Sequence, residues 1–383
     1  MAGSLLRKPT VLVPVVLVVV VCIAVVVFIY KRSGAYEPPP LAFDGPSDQL
    51  KQTVIVPTLD TPMPEGKNVI WCASFQLAWN EFKDDVIGEP VKMAGAQDIA
   101  DRLNTSTITT AVLEPGDYYA KAGFVEDGIM ATIERDMAAR FPDVPKPDLQ
   151  INEISVAVAY AYLQVSIEFS QMFYENNDEF LFRGVPVTSF GIRETDKKPD
   201  DPARRQVFVL YSSEKEGEPW SDENEFVLNL SLGTGPYEII LARIEPKGTL
   251  AETLAELERK VDSRTSFFYY RLDEQAVLLV PNLHWRIEHH FEEIEGADKP
   301  LQNRGHEGCW LGLAWQMIEF KLDRAGATLK SEAKIREENG GRPRRFVFDK
   351  PFLILMRKRS LSEKENPPFF VMWVDNPELL CKP

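Results

Sequence analysis

Phe346–Met356 reads FVFDKPFLILM. Two apolar runs flank a short polar step, Asp349-Lys350, that ends on Pro351. Proline lacks a backbone N–H, so Pro351 interrupts any strand ladder locally. The run after it, Phe352 to Met356, shows no polar alternation, as in a strand buried on both faces. The stretch before it, DRAGATLKSEAKIREENGGRPRRF (Asp323–Phe346), is of two kinds. Its first half alternates small or apolar residues with polar ones, as a half-buried strand does. Its second half is charged and carries Gly340, Gly341 and Pro343, as a solvated loop does.

Working outward, further strands are expected in RQVFVLYSS (205–213), EFVLNLSLG (225–233), YEIILARIEP (237–246), QAVLLVPNLHWRIEHHF (275–291), QMIEFKLD (316–323) and PFFVMWVDNP (368–377). The β-branched and aromatic content of 150–169 adds a long buried strand. Helices come earlier. Residues 74–87 place Leu77, Ala78, Phe82 and Val86 at helical spacing, with Ser74 at the N-cap position. Residues 94–103 and 124–140 read as two more, and 249–263 as a short one capped by Thr249 with Glu252 three residues on. Helices first, then many strands with one interrupting helix, is an α+β pattern with extended antiparallel sheet.

The 383 residues are 44% hydrophobic, enough for a substantial core, and the formal net charge is −15. That balance argues against a nucleic-acid partner, which clustered Lys and Arg would serve. Cys22, Cys72, Cys309 and Cys381 have no CxxC or Cys/His spacing, so neither a zinc site nor a disulfide framework is signalled. Asn104 and Asn229 head glycosylation sequons of the kind that chance also produces.

Residues 11–30, VLVPVVLVVVVCIAVVVFIY, are 20 residues without a charge. As a helix they span roughly 30 Å, the hydrocarbon thickness of a bilayer. A signal peptide has a shorter apolar region and a small-residue cleavage site, and neither is present. A single-pass anchor is expected, after a short N-terminal segment 1–10. Arg7 and Lys8 on one side and Lys31 and Arg32 on the other barely set its direction. A large acidic domain suits the extracytoplasmic side. Residues 31–67 hold EPPPLAFDGPSDQ and PTLDTPMPEG and read as a Pro-rich tether, with the folded domain over 68–383.

Chemistry-bearing clusters are few. HWRIEHH invites a metal reading of His289 and His290 with Glu288, but neighbours in a strand face opposite sides. Ser74 beside Cys72 has no histidine nearby in sequence to activate it. No GxSxG, HExxH, GxGxxG or P-loop occurs. An enzyme is not expected, and no cofactor or metal is called for.

Phe348, Asp349, Lys350, Pro351, Phe352, Leu353 and Ile354 fill the serpin family signature without a mismatch. Other segments resemble serpin elements in serpin order. These are NVIWCASFQLAW from Asn68, AVAYAYLQVSIEFSQMF from Ala157, PYEIILARIEPKGTLAETLAELE from Pro236, VLLVPNLHWRIEHHFEEI from Val277 and QMIEFKLDRAGATLKSEA from Gln316. The resemblance covers roughly 68–379. It implies a serpin-like α+β fold: a large, mainly antiparallel sheet, further smaller sheets and surrounding helices. It also implies a protease partner, serine or cysteine type, captured when a reactive loop is cut and inserts into the main sheet. There are departures. Cys72-Ala73-Ser74 stand where the family has Ser-Pro and a following Ser. Gln316 and a position among Ala159–Tyr162 stand at a polar cluster usually built on His and Asn. Arg324 and Ala327 stand at hinge positions usually acidic and Thr.

By the resemblance the hinge comprises Gly326, Ala327, Thr328, Leu329, Ser331 and Ala333. The alternation itself puts Ala327, Leu329, Ser331, Ala333 and Ile335 on one face, and Thr328, Lys330, Glu332, Lys334 and Arg336 on the other. Both an insertable loop and an ordinary edge strand running into a surface loop satisfy that pattern. Family spacing places the scissile region at Gly340, Gly341 and Arg342, with Pro343 set against a cut after Arg342. The alternative to an inhibitor is a non-inhibitory binding or structural protein of the same fold at the membrane surface.

Overall fold

The computed structural model describes residues 36–142, 144, 153, 156–165, 167–196, 201–213, 225–233, 235–263, 270–325, 344–360 and 366–383. The chain divides into two compact units, Met1–Pro38 and Pro39–Pro383. Of the first, residues 36–38 are described, and every element named below belongs to the second. Residues 11–30, where the sequence places an anchor, lie outside the described residues. Among the described residues no helix is long and apolar enough to cross a membrane.

The strands are β1 Phe43–Pro46, β2 Thr53–Ile55, β3 Asn68–Cys72, β4 Tyr118–Phe124, β5 Val156–Leu163, β6 Tyr174–Asn176, β7 Leu181–Phe182, β8 Val185–Pro186, β9 Ser189–Ile192, β10 Phe208–Ser212, β11 Phe226–Asn229, β12 Tyr237–Arg243, β13 Tyr270–Arg271, β14 Val277–Pro281, β15 Leu283–His290, β16 Trp310–Leu322, β17 Arg345–Val347, β18 Phe352–Lys358 and β19 Pro368–Val374. The helices are α1 Ala73–Glu81, α2 Gln97–Thr105, α3 Ile129–Arg140, α4 Pro202–Arg205 and α5 Leu250–Asp262. Three principal sheets result: β1-β15-β16-β5-β4, β13-β10-β11-β12-β18-β19-β3-β2 and β17-β14-β9-β6. The α+β expectation holds. The eight-stranded sheet is the mainly antiparallel one, with β2 and β3 its parallel pair. The five-stranded sheet is mixed: β1 is parallel to β15, and β16 is parallel to β5.

The stretch 31–67 is not all tether. β1 closes the edge of the five-stranded sheet on β15, and β2 extends the eight-stranded sheet beside β3. Thr53, Ile55, Val56 and Thr58 are buried. Prolines do not prevent this, because Pro46 is the last residue of β1 and Pro57 lies beyond β2, where a missing N–H costs little.

Helix α1 starts directly from β3, and Ala73 to Trp79 are all buried. Ser74 is therefore not the N-cap: Cys72 holds that position and no side chain caps the helix. Phe82–Ile87 continue α1 as a π-helix that stops at Gly88, in the left-handed region at φ 75°. α1 packs on β4 and β5, whose inward residues Ala120, Ala122, Ala157, Ala159 and Ala161 are small enough to admit it. The helix read over 124–140 begins at Ile129, because Tyr118–Phe124 form β4 and Gly128 (φ 76°) turns the chain. The Thr249 cap is as expected: its Oγ1 accepts the Glu252 N–H at 3.1 Å.

The main core lies between the inward face of the five-stranded sheet and the eight-stranded sheet. Phe320 stacks on Phe370 at 4.8 Å, and Trp285 packs beside both. A second cluster covers the outward face, where Ile129, Ile133 and Met137 of α3 meet Val158, Tyr160, Leu313, Trp315 and Met317.

Two substitutions test this packing by urea unfolding. Phe348→Ala removes a fully buried ring held 5.0 Å from both Phe226 and Phe352, and is expected to cost about 3–5 kcal/mol. Ala159→Leu overfills the floor on which α1 sits, and is expected to cost about 1–3 kcal/mol.

Candidate functional site

Phe348, Asp349, Lys350, Pro351 and Phe352 form a crossover between two sheets. β17 runs parallel to β14 at the edge of the four-stranded sheet. Phe348 then drops into a fully buried aromatic cluster, and after Pro351 the chain enters β18 in the middle of the eight-stranded sheet. Arg243 fixes the step. Its Nη1 donates to the Val347 carbonyl at 2.9 Å and lies 3.4 Å from Asp349 Oδ1, while its guanidinium stands over the Phe226 ring. Lys350 is exposed. The polar residues thus hold the crossover, and the phenylalanines fill it.

The other end of the loop is held by β16. After Leu322 the buried Asp323 turns the chain, with Oδ1 accepting the Ala325 N–H at 2.8 Å. The Arg324 carbonyl accepts the Phe173 N–H at 2.9 Å. Gly326, Ala327, Thr328, Leu329, Ser331 and Ala333, expected as a hinge, lie outside the described residues, as do Gly340, Gly341 and Arg342, expected as the scissile region. The described chain resumes at Arg344, whose carbonyl accepts the Val277 N–H at 2.8 Å. The described chain thus leaves the five-stranded sheet before Ala325 and resumes at Arg344 at the edge of the four-stranded one.

The join between β16 and β5 is the unusual feature of the five-stranded sheet. It runs in parallel from Trp310↔Val156 to Ile318↔Leu163, with a bulge between Leu311 and Leu313. β16 continues past that last pair. Glu319 to Leu322 pair with β15 as far as Leu283 but with no strand on the β5 side among the described residues. The seam is open at the C-terminal end of β16.

Beneath the seam sits a polar cluster. Gln316 Nε2 donates to Ser74 Oγ at 2.6 Å and to the Cys72 carbonyl at 3.3 Å, and Cys72 Sγ lies 3.3 Å from Ser74 Oγ. Gln316 thus stands against the start of α1. Its Oε1 is buried without a partner. His289, directly across the strand pair from Gln316, turns inward. Its Nδ1 meets Ser47 Oγ at 2.7 Å, and its Nε2 is also buried without a partner. Burial pushes its pKa down to about 4. Ser74 has an amide for a neighbour rather than a base, and burial pushes the Cys72 thiol up to about 11. Neither is an activated nucleophile.

His290 faces the other way, toward Glu295 at 3.2 Å, whose carboxylate raises its pKa. The two histidines diverge as strand geometry requires, and no group of three metal-ligating side chains occurs among the described residues. The sequon asparagines are both engaged. Asn104 Nδ2 donates to the Val91 carbonyl at 2.9 Å, and Asn229 Nδ2 to Glu238 Oε2 at 2.7 Å. Sequence reading did not foresee the open seam, because a strand pairing belongs to no single segment.

No protein-family model matches the chain, and no curated protein matches it. Solved structures to which it is similar include native protease nexin-1 with heparin, at 11% identity over 82% of this chain and 93% of that one, TM-score 0.49. A thyroxine-binding globulin complex with thyroxine is similar at 12% identity over 82% and 94%, TM-score 0.46. Mouse protein-Z dependent protease inhibitor is similar at 11% identity over 81% and 91%, TM-score 0.47.

The depressed His289 pKa makes stability pH-dependent. The unfolded chain binds this proton near pH 6.5 and the folded one near 4, so stability is full above about 6.5 and falls as pH drops toward 4. His289→Gln is expected to remove roughly 2–3 kcal/mol of the loss between pH 6.5 and 4.5, measured as the change in urea-unfolding free energy against the unaltered chain.

Proposed function

We propose that this chain is a serpin-type protease inhibitor, held at a membrane surface by residues 11–30 with its domain on the extracytoplasmic side. Its loop is cut and then enters the five-stranded sheet between β5 and β16. The seam carries this reading. β16 feeds the loop directly, and β5 runs parallel to it. A strand doubling back from the end of β16 is antiparallel to both neighbours in that one gap. Insertion exchanges one parallel ladder for two antiparallel ones, which are slightly more stable per residue. Each backbone hydrogen bond gained contributes about 0.5–1.5 kcal/mol. The inward face suits the small residues of the loop. Ala327, Leu329, Ser331 and Ala333 would lie over a floor lined by Ala157, Ala159, Ala161 and Ala314. Burying Leu329 and Ile335 adds roughly 1.5–3 kcal/mol each. The orphaned Gln316 Oε1 and His289 Nε2 cost the present arrangement about 1–3 kcal/mol apiece.

One observation favours the second reading, a non-inhibitory protein of the same fold at the membrane surface. The outward face is not solvent. α3 covers it, and Tyr160 of β5 stacks on Trp315 of β16 at 4.9 Å across the seam. Lys330, Glu332 and Lys334 would arrive on that covered side, and buried unpaired charge is expensive. Insertion therefore requires α3 to lift.

Cutting the soluble domain within the loop and following its thermal unfolding separates the two. An inserted loop is expected to raise the midpoint by more than about 10 °C. An unchanged midpoint, with no SDS-resistant complex formed with any member of a broad panel of serine and cysteine proteases, leaves the binding or structural reading standing.

A further inference from the structure

The outward face holds a cavity of about 220 Å³ over the open end of the seam. It takes walls from three strands and one helix: Arg286 of β15, Met317 and Glu319 of β16, Tyr162 of β5, and Arg140 at the end of α3. Phe141 and Val144 after α3 complete an apolar side with Met317. Its size is below that of drug-sized pockets, so it fits a small molecule.

The polar groups around it are unevenly supplied. Tyr162 is 2% exposed, yet its hydroxyl has no hydrogen-bond partner among the described residues. Unlike the fully buried Tyr160 hydroxyl, it opens on the cavity, where a ligand acceptor would take its hydrogen. Arg286 uses Nε and Nη2 on Asp44, at 2.8 and 2.7 Å. Its Nη1 has no acceptor among the described residues. Arg140 uses Nη2 on the carbonyls of Pro115 and Tyr118, at 2.6 and 2.8 Å, and lies over the Tyr119 and Phe141 rings. Its Nε and Nη1 likewise have none. Among the described lining residues one carboxylate, Glu319, stands against these donors, on an exposed position. With Asp44 the charges balance, so what selects the ligand is the excess of directed donors. Donors beside an apolar wall suit an acceptor head on an apolar body.

We propose that this cavity binds a small amphipathic carboxylate, and that the bound molecule ties β5 to β16. Its head would sit between the guanidiniums and the Tyr162 hydroxyl, and its body against Phe141, Val144 and Met317. Tyr162 and Met317 stand as Cα partners across the parallel join, one pair before its last. A ligand touching both therefore bridges the seam where it ends. That such a ligand would also hold back an inserting loop rests on the function proposed above; the binding and the bridging do not.

The test uses 3-phenylpropanoate, with 3-phenylpropylamine as the control of opposite charge, titrated into the soluble domain and read by calorimetry. Saturable binding of the carboxylate and none of the amine is expected. Tyr162→Phe should weaken it roughly five- to tenfold, the worth of one hydrogen bond. Met317→Trp should fill the cavity and abolish it. Glu319→Gln should strengthen it severalfold by removing a like charge, a gain that misfolding cannot produce. Hydrogen exchange should show the amides of β5 and β16 better protected with ligand. No saturable binding, equal binding of the amine, or binding indifferent to all three substitutions overturns the site. Binding without added protection of β5 and β16 overturns the bridging. A loop that fails to insert after cutting leaves both measurements unaffected.

Discussion

The parallel join of β5 to β16 constrains most of what surrounds it. The parallel join is covered on both faces, as parallel strands generally are. Here the inner cover is α1 and the outer cover is α3. The inner cover fits only because the floor is alanine at Ala157, Ala159 and Ala161. The outer cover fits because the same strands turn aromatic and aliphatic side chains the other way, Tyr160 and Trp315 chief among them. One face is small so that a helix can come close. The other is bulky so that a helix can rest on it.

The polar cluster under the join follows from the route of the chain. β3 belongs to the eight-stranded sheet, and α1, which continues it without a loop, lies under the five-stranded one. The start of α1 therefore brings the Cys72 carbonyl and Ser74 beneath β16, where Gln316 Nε2 donates to both and ties the two sheets together. The tie is incomplete, because Gln316 Oε1 finds no partner. The Phe346–Met356 crossover makes the other connection, from the four-stranded sheet to the eight-stranded one. There the polar atoms are better served, since Arg243 reaches both the Val347 carbonyl and Asp349. The crossover is built as a fixed point and the seam as a weak one.

Much of this could be read from residue order, and the reasons are local. Phe352–Met356 shows no alternation because both its faces are buried, and Thr249 with Glu252 is a cap whose parts lie within one turn. The divergence of His289 and His290 follows from strand geometry alone. What could not be read is what depends on partners far off in sequence. β1 and β2 looked like tether because strands that lean on an edge need little apolar pattern of their own. A helix read from Phe124 starts five residues too early, because Gly128, not composition, decides where it begins. Ser74 looked like a cap because nothing in its segment tells that β3 arrives without a break. The seam and the cavity above it belong to four elements at once, so no window of sequence contains them.

The same geometry sets a limit on any strand that enters the seam. Glu319 to Leu322 leave four positions of β16 open on the β5 side before the first pair, Ile318 with Leu163, has to part. A strand doubling back could place about that many residues there without breaking a β5–β16 pair. Any strand that runs further must part Ile318 from Leu163 and then Met317 from Tyr162. The Phe141 ring, just after α3, packs on Tyr162 at 4.8 Å and covers that step. How far a strand can enter the seam therefore turns on how firmly the end of α3 is held over it.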